Sequence, residues 1–325
     1  MLCAALGMFA RSRGAAENSK FDQFRSRMTP RAPRAPRLRA KFFFLLGVLF
    51  AIPVSGQSRS VNVGDAVINY EITGSGETLV LIHGWAQDLT IWDDQVRAFA
   101  PQYRVLRYDR RGFGKSTGYA DATADPEDLR VLLDSLHIRS AMLLGLSAGA
   151  RAVINFAVAF PDRVKALVIY GLAPIPGFTP APEGPTPVMV FREIAQKHGL
   201  DSAGKALRAH QLSWTPPNRP ELQELLKAQW SRYAGKDLLD PRPESGRVPH
   251  AHLDQVALIS VPTLVISGDH DLPLFIQVGD TLVRRIKGAQ RAMLTNAGHG
   301  AHFAQPAQFN AVVLQFLAKL RATSR

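Results

Sequence analysis

The feature that most constrains this chain is the pentapeptide Gly-Leu-Ser-Ala-Gly at residues 145–149. A short apolar run at residues 141–144 precedes it, and an alanine-rich helical pattern at residues 151–160 follows it. A serine hydroxyl is a poor nucleophile, so a site that uses one presents it on a sharp strand-to-helix turn, where the backbone can approach closely only if the flanking residues are small. We therefore predict that Ser147 is a nucleophile at such a turn; the alternative is a glycine-serine turn that only ends a strand.

A serine nucleophile needs a base, an orienting acid and two oxyanion donors at the same end of one sheet. His299, in the segment Asn-Ala-Gly-His, comes just after the last predicted strand. Because a histidine titrates near neutrality, His299 is suited to accept the serine proton and to return it to the leaving group. His302 is the alternative base, although its place at the approach to the final helix favours a packing role.

Two carboxylates follow the penultimate predicted strand, in the segment Ser-Gly-Asp-His-Asp at residues 267–271. Asp271 lies further into the loop and has room to turn towards the histidine, so we predict that it is the acid. Asp269 is the alternative, and next to the strand end its expected role is to hydrogen-bond loop amides. An acid one strand earlier is excluded because residues 169–174 contain no carboxylate.

The oxyanion hole needs two backbone N–H donors. We assign one to Ala148, which starts the predicted helix after the nucleophile, and the other to Trp85, in the loop after an earlier strand. The preceding His83-Gly84 pair is also typical of a turn with a hydrogen-bonding histidine, and the two interpretations are compatible. We expect Trp92 to be a core residue.

From residue 59 onwards the sequence alternates between strand-like and helix-like segments without a repeat. Strands separated by helices of this length predict an α/β fold with a mostly parallel central sheet and helices on both faces. The predicted strands are residues 61–70, 78–83, 103–108, 141–146, 164–171, 263–268 and 290–295, and the predicted helices are residues 91–100, 126–136, 148–160, 273–286 and 307–321.

The alternation stops at residues 172–250, which are rich in proline and contain two helical stretches, residues 188–198 and 221–233. We predict that this segment is a helical cap inserted into one catalytic core, formed by residues 57–171 and 251–325. The cap is expected to supply an apolar pocket, although aromatic residues at helical spacing more often form the interior of such a segment. The candidate pocket residues are Phe178, Val188, Val190, Phe191, Trp214, Trp230 and Tyr233.

The 325 residues carry a formal charge of +12, which on its own would suggest an acidic partner such as nucleic acid. Residues 1–56, however, hold ten of the 39 Lys and Arg residues and two of the 27 Asp and Glu residues, so they account for +8 and the rest of the chain for only +4. This distribution removes the main support for a nucleic-acid partner.

The basic N-terminal region has the pattern of a targeting segment. Basic residues at positions 31–41 precede an apolar run at residues 42–52 and then Pro-Val-Ser-Gly, as in a secretory signal that is cleaved after this glycine. Eleven apolar residues are too few for a membrane span, which needs about 20. We predict that translation starts at Met28, that residues 1–27 are an upstream extension and residues 28–56 a signal peptide, and that the mature protein is periplasmic or secreted.

Four motifs follow one another in the order typical of the α/β-hydrolase superfamily, which the chain resembles over nearly all of its length after the leader. The resemblance also implies Asp271 as the acid, by the family pattern Gly-x-x-Asp. It implies that residues 109–116 form a structural turn that shapes the floor of the site, without chemistry of their own. Ala150 stands where relatives often have a further glycine, which bears only on the subfamily. The motifs are the His-Gly pair at 83–84, the segment Asp-Arg-Arg-Gly-Phe-Gly-Lys-Ser at 109–116, the pentapeptide at 145–149, and Gly-Asp-His-Asp at 268–271 with Gly-His at 298–299.

The resemblance implies a serine hydrolase that cleaves a carboxylic ester or lactone through an acyl-enzyme on Ser147, with a small-molecule ester or lactone as partner and no cofactor or metal. Together with the N-terminal pattern, which predicts export and no stable membrane span, it predicts an exported hydrolase. The chain looks most like two groups of the superfamily, the enol-lactonases and the cofactor-free haloperoxidases. The haloperoxidases share the triad and act through a peracid. A non-catalytic ligand-binding member of the fold is the alternative from another class. Serine in the pentapeptide argues against haloalkane dehalogenases and epoxide hydrolases, which use aspartate there.

Overall fold

A computed structural model describes residues 56–179 and 184–323, and within them eight strands form one sheet. The strands are β1 (Arg59–Asn62), β2 (Val67–Thr73), β3 (Thr78–Ile82), β4 (Arg104–Tyr108), β5 (Ala141–Leu146), β6 (Val164–Tyr170), β7 (Thr263–Gly268) and β8 (Gln290–Leu294). Their order across the sheet is β1-β2-β4-β3-β5-β6-β7-β8. The β1–β2 and β2–β4 pairs are antiparallel, and all other neighbours are parallel. The predicted α/β fold with a mostly parallel sheet is therefore confirmed.

The central strands are apolar because both faces of the sheet are covered, as is usual for parallel sheets. Every residue of β3 (Thr-Leu-Val-Leu-Ile) and of β5 (Ala-Met-Leu-Leu-Gly-Leu) is buried. The edge strand β8 (Gln-Arg-Ala-Met-Leu) is buried only at its last residue. The parallel strands therefore form a rigid support whose carboxyl ends share one edge of the sheet.

Helices cover both faces of this sheet. In chain order they are α1 (Asp93–Phe99), α2 (Asp125–Ser135), α3 (Ala148–Ala159), α4 (Pro187–His198), α5 (Leu200–Ala209), α6 (Glu221–Arg232), α7 (Lys236–Leu239), α8 (Leu253–Val256), α9 (Pro273–Arg285), α10 (Ala301–Ala304) and α11 (Pro306–Thr323). One face of the sheet packs against α2, α3, α8 and α9 through a cluster that includes Leu132, Val153 and Val278. The opposite face packs against α1 and α11 through a cluster that includes Phe99 and Phe309.

The prediction of one strand at residues 61–70 is wrong, because β1 and β2 form an antiparallel hairpin here. The chain turns at Gly64, whose φ of +82° suits a residue without a Cβ. Val61, Val63 and Val67 keep a period of two across the turn, so their alternation hides it.

Residues 172–250, which were predicted to form the cap, contain α4 to α7, and α8 follows them before β7. Helix α5 was not predicted from the sequence, and only the single residue Gly199 separates it from α4. Gly204 in α5 lies against the indole of Trp230, and a Cβ on Gly204 would be only 2.3 Å from the indole nitrogen. Close packing of this kind gives the segment a small interior of its own, whose buried members are Ala195, Ala203, Trp230 and Leu238 together with Ala86.

Residues 28–55 of the predicted signal peptide, and the predicted extension before it, lie outside the described residues, and both stay predictions. Within the described ranges, the structure contains no helix with the length and apolar character needed to cross a membrane.

Candidate active site

Ser147 occupies the sharp turn between β5 and α3. Its φ of +56° and ψ of −114° are a combination that residues with a side chain rarely adopt. Two backbone hydrogen bonds hold this turn, because the Ser147 amide donates to the Tyr170 carbonyl (2.9 Å) and the Ser147 carbonyl accepts from the Arg151 amide (3.1 Å). Ser147 thereby lies at the carboxyl edge of the sheet and lines a cavity.

The two glycines of the pentapeptide are required by close backbone contacts. A Cβ on Gly145 would lie 2.2 Å from the Gly149 carbonyl oxygen, and a Cβ on Gly149 would lie 2.3 Å from the Ile82 carbonyl oxygen. Both obstacles are backbone atoms, so neither can rotate out of the way. The glycines therefore let the start of α3 pack directly on the sheet, which is the arrangement that the sequence pattern predicts.

His299 and Asp271 lie side by side, in the loops that follow β8 and β7. The His299 Nδ1 atom is 3.0 and 3.2 Å from the two carboxylate oxygens of Asp271. Asp271 is buried, and the Leu272 amide donates to its Oδ1 (2.8 Å), which fixes the carboxylate. With Nδ1–H donated to this carboxylate, Nε2 of the neutral ring is free to accept a proton. His299 lines the same cavity as Ser147.

Gly171 makes room for the His299 ring, and the sequence analysis missed it. It directly follows β6 and has a φ of +60°, and a Cβ on it would lie 2.8 Å from His299 Cε1 and 2.9 Å from Nδ1. A glycine at the end of the strand beside the nucleophile strand is the signal that would have identified it.

The two alternative candidates occupy other positions. Asp269 accepts hydrogen bonds from the amides of Asn296 and Ala297 (both 3.0 Å), as expected for a loop-tying carboxylate. His302 is buried in α10, 4.9 Å from the ring of Trp92 between centroids, and does not line the cavity. Burial lowers the pKa of His302 to about 3, so its ring is neutral at pH 7.

The loop after β3 is held against the nucleophile by its own histidine. His83 Nδ1 donates to the Gly84 carbonyl (2.8 Å), and Nε2 accepts from the Arg110 amide (2.9 Å). Burial lowers the pKa of His83 to about 3, which keeps this neutral arrangement. Gln87, which sequence reasoning missed, accepts from the Gly84 amide (2.8 Å), and a Cβ on Gly84 would lie 3.3 Å from Ser147 Cβ.

The two residues assigned to the oxyanion hole line the same cavity as Ser147, and Ala148 directly follows Ser147 in the chain. Among the backbone hydrogen bonds of the described turns, loops and caps, none is donated by the Trp85 amide or by the Ala148 amide. The Trp85 side chain points elsewhere, since its Nε1 donates to Asp237 Oδ2 (2.8 Å) in α7 and its ring stacks on Phe191 (6.0 Å between centroids). Trp85 therefore links the loop after β3 to α4 and α7.

The turn at residues 109–116 is built around the buried Asp109 carboxylate. It accepts hydrogen bonds from the Leu89 amide (2.7 Å), the Lys115 amide (2.9 Å) and the Asn69 side chain (2.9 Å). Both oxygens of the Asp109 carboxylate therefore accept hydrogen bonds that hold the turn in place. Two residues of the turn, Arg110 and Phe113, line the Ser147 cavity.

The cavity has a volume of about 750 Å³, within the range of small-molecule sites. Of the seven candidate pocket residues, Val188 and Trp230 line it. Phe191 is buried against Trp85, whereas Val190 is exposed, and Trp214 stacks on the His270 ring (4.0 Å between centroids). Most of these aromatic residues thus pack among α4 to α7 or beside them, and Trp92 is buried in the core as expected.

In the described ranges, no group of three or more His, Cys, Asp or Glu side chains is arranged to hold a metal ion. The expectation that the site needs neither metal nor cofactor stays a prediction.

The sequence matches the family model of the α/β hydrolase fold over residues 77–306, which is more than half of the chain. The chain belongs to the α/β-hydrolase fold family. The resemblance predicted from its motifs is therefore confirmed.

Relatives agree with this assignment over most of the chain. A 2-hydroxy-6-oxononadienedioate/2-hydroxy-6-oxononatrienedioate hydrolase of Burkholderia vietnamiensis is 31% identical over 286 residues, which cover 82% of this chain and 97% of that protein. A solved bromoperoxidase from Bacillus anthracis is similar with a TM-score of 0.69 at 26% identity, covering 80% of this chain and 99% of that one. The enol-lactonase from Burkholderia xenovorans LB400 has a TM-score of 0.67 at 25% identity, covering 80% and 100%. The prediction of an α/β-fold hydrolase is confirmed.

Proposed function

We propose that this protein cleaves a carboxylic ester or lactone through an acyl-enzyme on Ser147. The observation that carries the proposal is the pairing of His299 with the buried Asp271 in a cavity that Ser147 also lines. A carboxylate on Nδ1 fixes the tautomer whose Nε2 accepts a proton, and it stabilises the imidazolium that then forms.

In the first half of the reaction, Ser147 Oγ attacks the carbonyl carbon while its proton passes to His299 Nε2. The amides of Trp85 and Ala148 donate to the oxygen that becomes negative. The tetrahedral intermediate then collapses, the bond to the alkoxide breaks, and His299 gives its proton to the leaving alcohol.

In the second half, a water molecule loses a proton to His299 Nε2 and attacks the acyl carbon. Collapse of the second intermediate returns the proton to Ser147 Oγ and releases the carboxylic acid. No hydrogen bond joins the Ser147 hydroxyl to the His299 ring in the described part of the chain, and we expect this hydrogen bond to form when substrate binds.

The relatives support this reaction class, since one acts on an enol-lactone and another is named as a hydrolase. The similarity to a bromoperoxidase favours a second candidate function. Hydrogen peroxide in place of water would attack the same acyl-enzyme and release a peracid, without any change in the protein groups used. The ratio of peracid to acid formed from one ester, measured with and without peroxide, separates the two functions.

Covalent labelling tests the proposed nucleophile directly. A fluorophosphonate should label the wild-type protein at Ser147, as located by peptide mass spectrometry, and should leave Ser147→Ala unlabelled. A panel of esters of increasing acyl length then shows whether labelling abolishes turnover. Wild-type protein that is folded but neither labelled nor active on any ester would refute the proposal and favour a ligand-binding role.

Export is a part of the same proposal and rests on the sequence pattern at residues 28–56. The expected mature N-terminus lies directly after Gly56. N-terminal sequencing of the protein recovered from the periplasm or the medium checks this, and exported protein that begins at Met1 or Met28 would contradict it.

A further inference from the structure

The side chain of Trp85 is held by contacts with α4, α6 and α7, although its backbone belongs to the loop after β3. Its ring stacks on Phe191 of α4 (6.0 Å between centroids), and it meets Trp230 of α6 (6.2 Å) and Tyr233, which follows α6 (5.7 Å), edge-on. Its Nε1–H donates to Asp237 Oδ2 in α7 (2.8 Å). Aromatic contacts tolerate sliding of a ring, whereas a hydrogen bond is directional, so Asp237 fixes the orientation of the indole.

The Asp237 carboxylate is itself held from two sides. The Tyr233 hydroxyl donates to Asp237 Oδ1 (2.5 Å), while the Trp85 indole donates to Oδ2. Burial raises the pKa of Tyr233, and the negative charge of Asp237 acts in the same direction, so the phenol stays protonated and remains a donor. The short helix α7 is tied to α4, because Gln196 Nε2 donates to the Leu238 carbonyl (3.0 Å). Asp237 therefore presents a fixed acceptor to the indole.

The backbone around Trp85 needs such an anchor. Ala86 has a φ of +57°, in the left-handed region that disfavours a residue with a side chain. A conformation of this kind persists only where neighbouring contacts enforce it. The Gly84 amide is held by Gln87 Oε1 (2.8 Å), but no backbone hydrogen bond of the described turns and loops is donated by the Trp85 amide. The side chain of Trp85 is therefore what holds its own peptide in place.

We propose that Asp237 is a positioning residue for the oxyanion hole: by accepting from Trp85 Nε1, it holds the Trp85 backbone N–H towards the oxygen that becomes negative. This inference rests on the proposed function and deepens it, because it adds a residue of α7 to the groups on which stabilisation of the tetrahedral intermediate depends. Asp237 also lines the Ser147 cavity, but each of its oxygens already accepts from a protein donor. It therefore acts through Trp85 and not on the substrate.

Three variants test this hydrogen bond. Trp85→Phe keeps a stacked ring and removes the indole N–H, whereas Asp237→Leu removes the acceptor. Loss of a whole oxyanion donor costs about 100- to 1000-fold in kcat, so a displaced donor should cost about 10- to 100-fold in each variant. KM for p-nitrophenyl acetate should stay within about threefold, because the oxyanion forms only after the substrate has bound. Asp237→Asn keeps an oxygen that accepts from Nε1, and its kcat should stay within about threefold of wild type.

The double variant Trp85→Phe/Asp237→Leu shows whether Asp237 acts through Trp85. If it does, the double variant should be no slower than the slower single variant. A boronic acid, which forms a tetrahedral adduct with Ser147 Oγ, gives a readout without turnover. Its inhibition constant should rise in proportion to the fall in kcat, and it should be close to the wild-type value in Asp237→Asn.

Arg232→Gln is the matched control, because Arg232 also joins α6 to the loop after β3. Among the described residues its side chain donates to Asp88 (2.8 Å), Thr90 (3.0 Å) and the Ala228 carbonyl (3.0 Å), and it does not line the Ser147 cavity. An exposed ion pair of this kind contributes little to stability, so kcat should stay within about twofold of wild type. A loss in Arg232→Gln as large as that in Asp237→Leu would assign the effect to general attachment of the helices and overturn the inference.

The inference is also overturned if either folded single variant keeps the wild-type kcat, if the two losses multiply in the double variant, or if the loss appears in KM while the inhibition constant of the boronic acid is unchanged. If Asp237→Leu does not fold, kcat and the inhibition constant of Trp85→Phe decide the question. In all these cases ester turnover and fluorophosphonate labelling of the wild type leave the proposed function intact. Loss of both in the wild type would overturn the proposed function, and the inference with it.

Discussion

Replacing Gly171 with alanine tests whether the position of His299 is as closely constrained as the structure indicates. The added Cβ would lie 2.8 Å from His299 Cε1 and 2.9 Å from Nδ1, and 3.5 Å from Asp271 Oδ2. Non-bonded heavy atoms prefer a separation of about 3.5 to 4.0 Å, so the imidazole must move by about 1 Å. A displacement of that size at a reacting group costs roughly 100-fold in rate.

Gly171→Ala should therefore lower kcat for a short-chain ester by about 100-fold. KM should change by only a few fold, because the cavity wall that faces the substrate is otherwise unaltered. The φ of +60° adds a backbone cost of about 1 to 2 kcal/mol for alanine. For a domain of this size that cost lowers Tm by about 2 to 8 °C, so the variant should still be folded at 25 °C.

Gly288→Ala is the matched control for the backbone term. Gly288 has a φ of +76°, and no atom lies within 4 Å of the position that a Cβ would take, so its alanine variant bears a similar conformational cost without touching His299. We expect a comparable fall in Tm with kcat close to wild type. If Gly171→Ala is folded and retains wild-type kcat, or if both variants lose kcat equally, the reasoning about His299 is refuted.

Three further predictions concern the triad and the buried histidine. Ser147→Ala and His299→Ala should each abolish most ester turnover. Because triad members act as a unit, the double variant should be scarcely slower than either single variant. A double variant whose kcat falls by the product of the two single effects would show that the residues act independently. Asp271→Asn should reduce kcat far more than Asp269→Asn, because the Asp271 carboxylate lies 3.0 Å from His299 Nδ1; the reverse order would move the acid role to Asp269. His302→Leu should make the free energy of unfolding less sensitive to low pH. The pKa of His302 is lowered to about 3 in the folded protein and is near 6.5 in the unfolded chain, so between pH 6.5 and pH 3 the unfolded chain binds more protons. His302 therefore lowers the free energy of unfolding as the pH falls, by about 2 kcal/mol at pH 5. Urea unfolding at pH 5 and pH 7.5 measures that difference, and an equal pH dependence in variant and wild type would contradict it.

The residues that meet at the candidate site could be predicted because each stands just after a strand of a parallel sheet. Strands in such a sheet end at one edge, so Ser147 after β5, Asp271 after β7 and His299 after β8 had to lie at the same side. Their residue types then limited the possible chemistry. The order of the strands was not needed for that inference, which is why it succeeded without a topology.

The residues that sequence reasoning missed act through contacts between segments that are distant in the chain. Gly171 is required by the ring of His299, and Gly204 by the indole of Trp230. Neither glycine sits in a local pattern that differs from an ordinary turn or helix position. The hairpin of β1 and β2 was missed for a different reason, since its apolar alternation continues through the turn.

Tyr170, at the end of β6, contacts both the turn that carries Ser147 and the loop that carries His299. Its backbone carbonyl accepts from the Ser147 amide (2.9 Å), and so it holds the strained nucleophile turn. Its phenol lies 3.1 Å from the Gly298 carbonyl oxygen, contacts the His299 carbonyl, and accepts from the Ala301 amide (2.5 Å). Tyr170 is buried, so each of these bonds is protected from exchange with water. One rigid strand end therefore sets the position of both Ser147 and the His299 loop, and a shift of β6 would move nucleophile and base together.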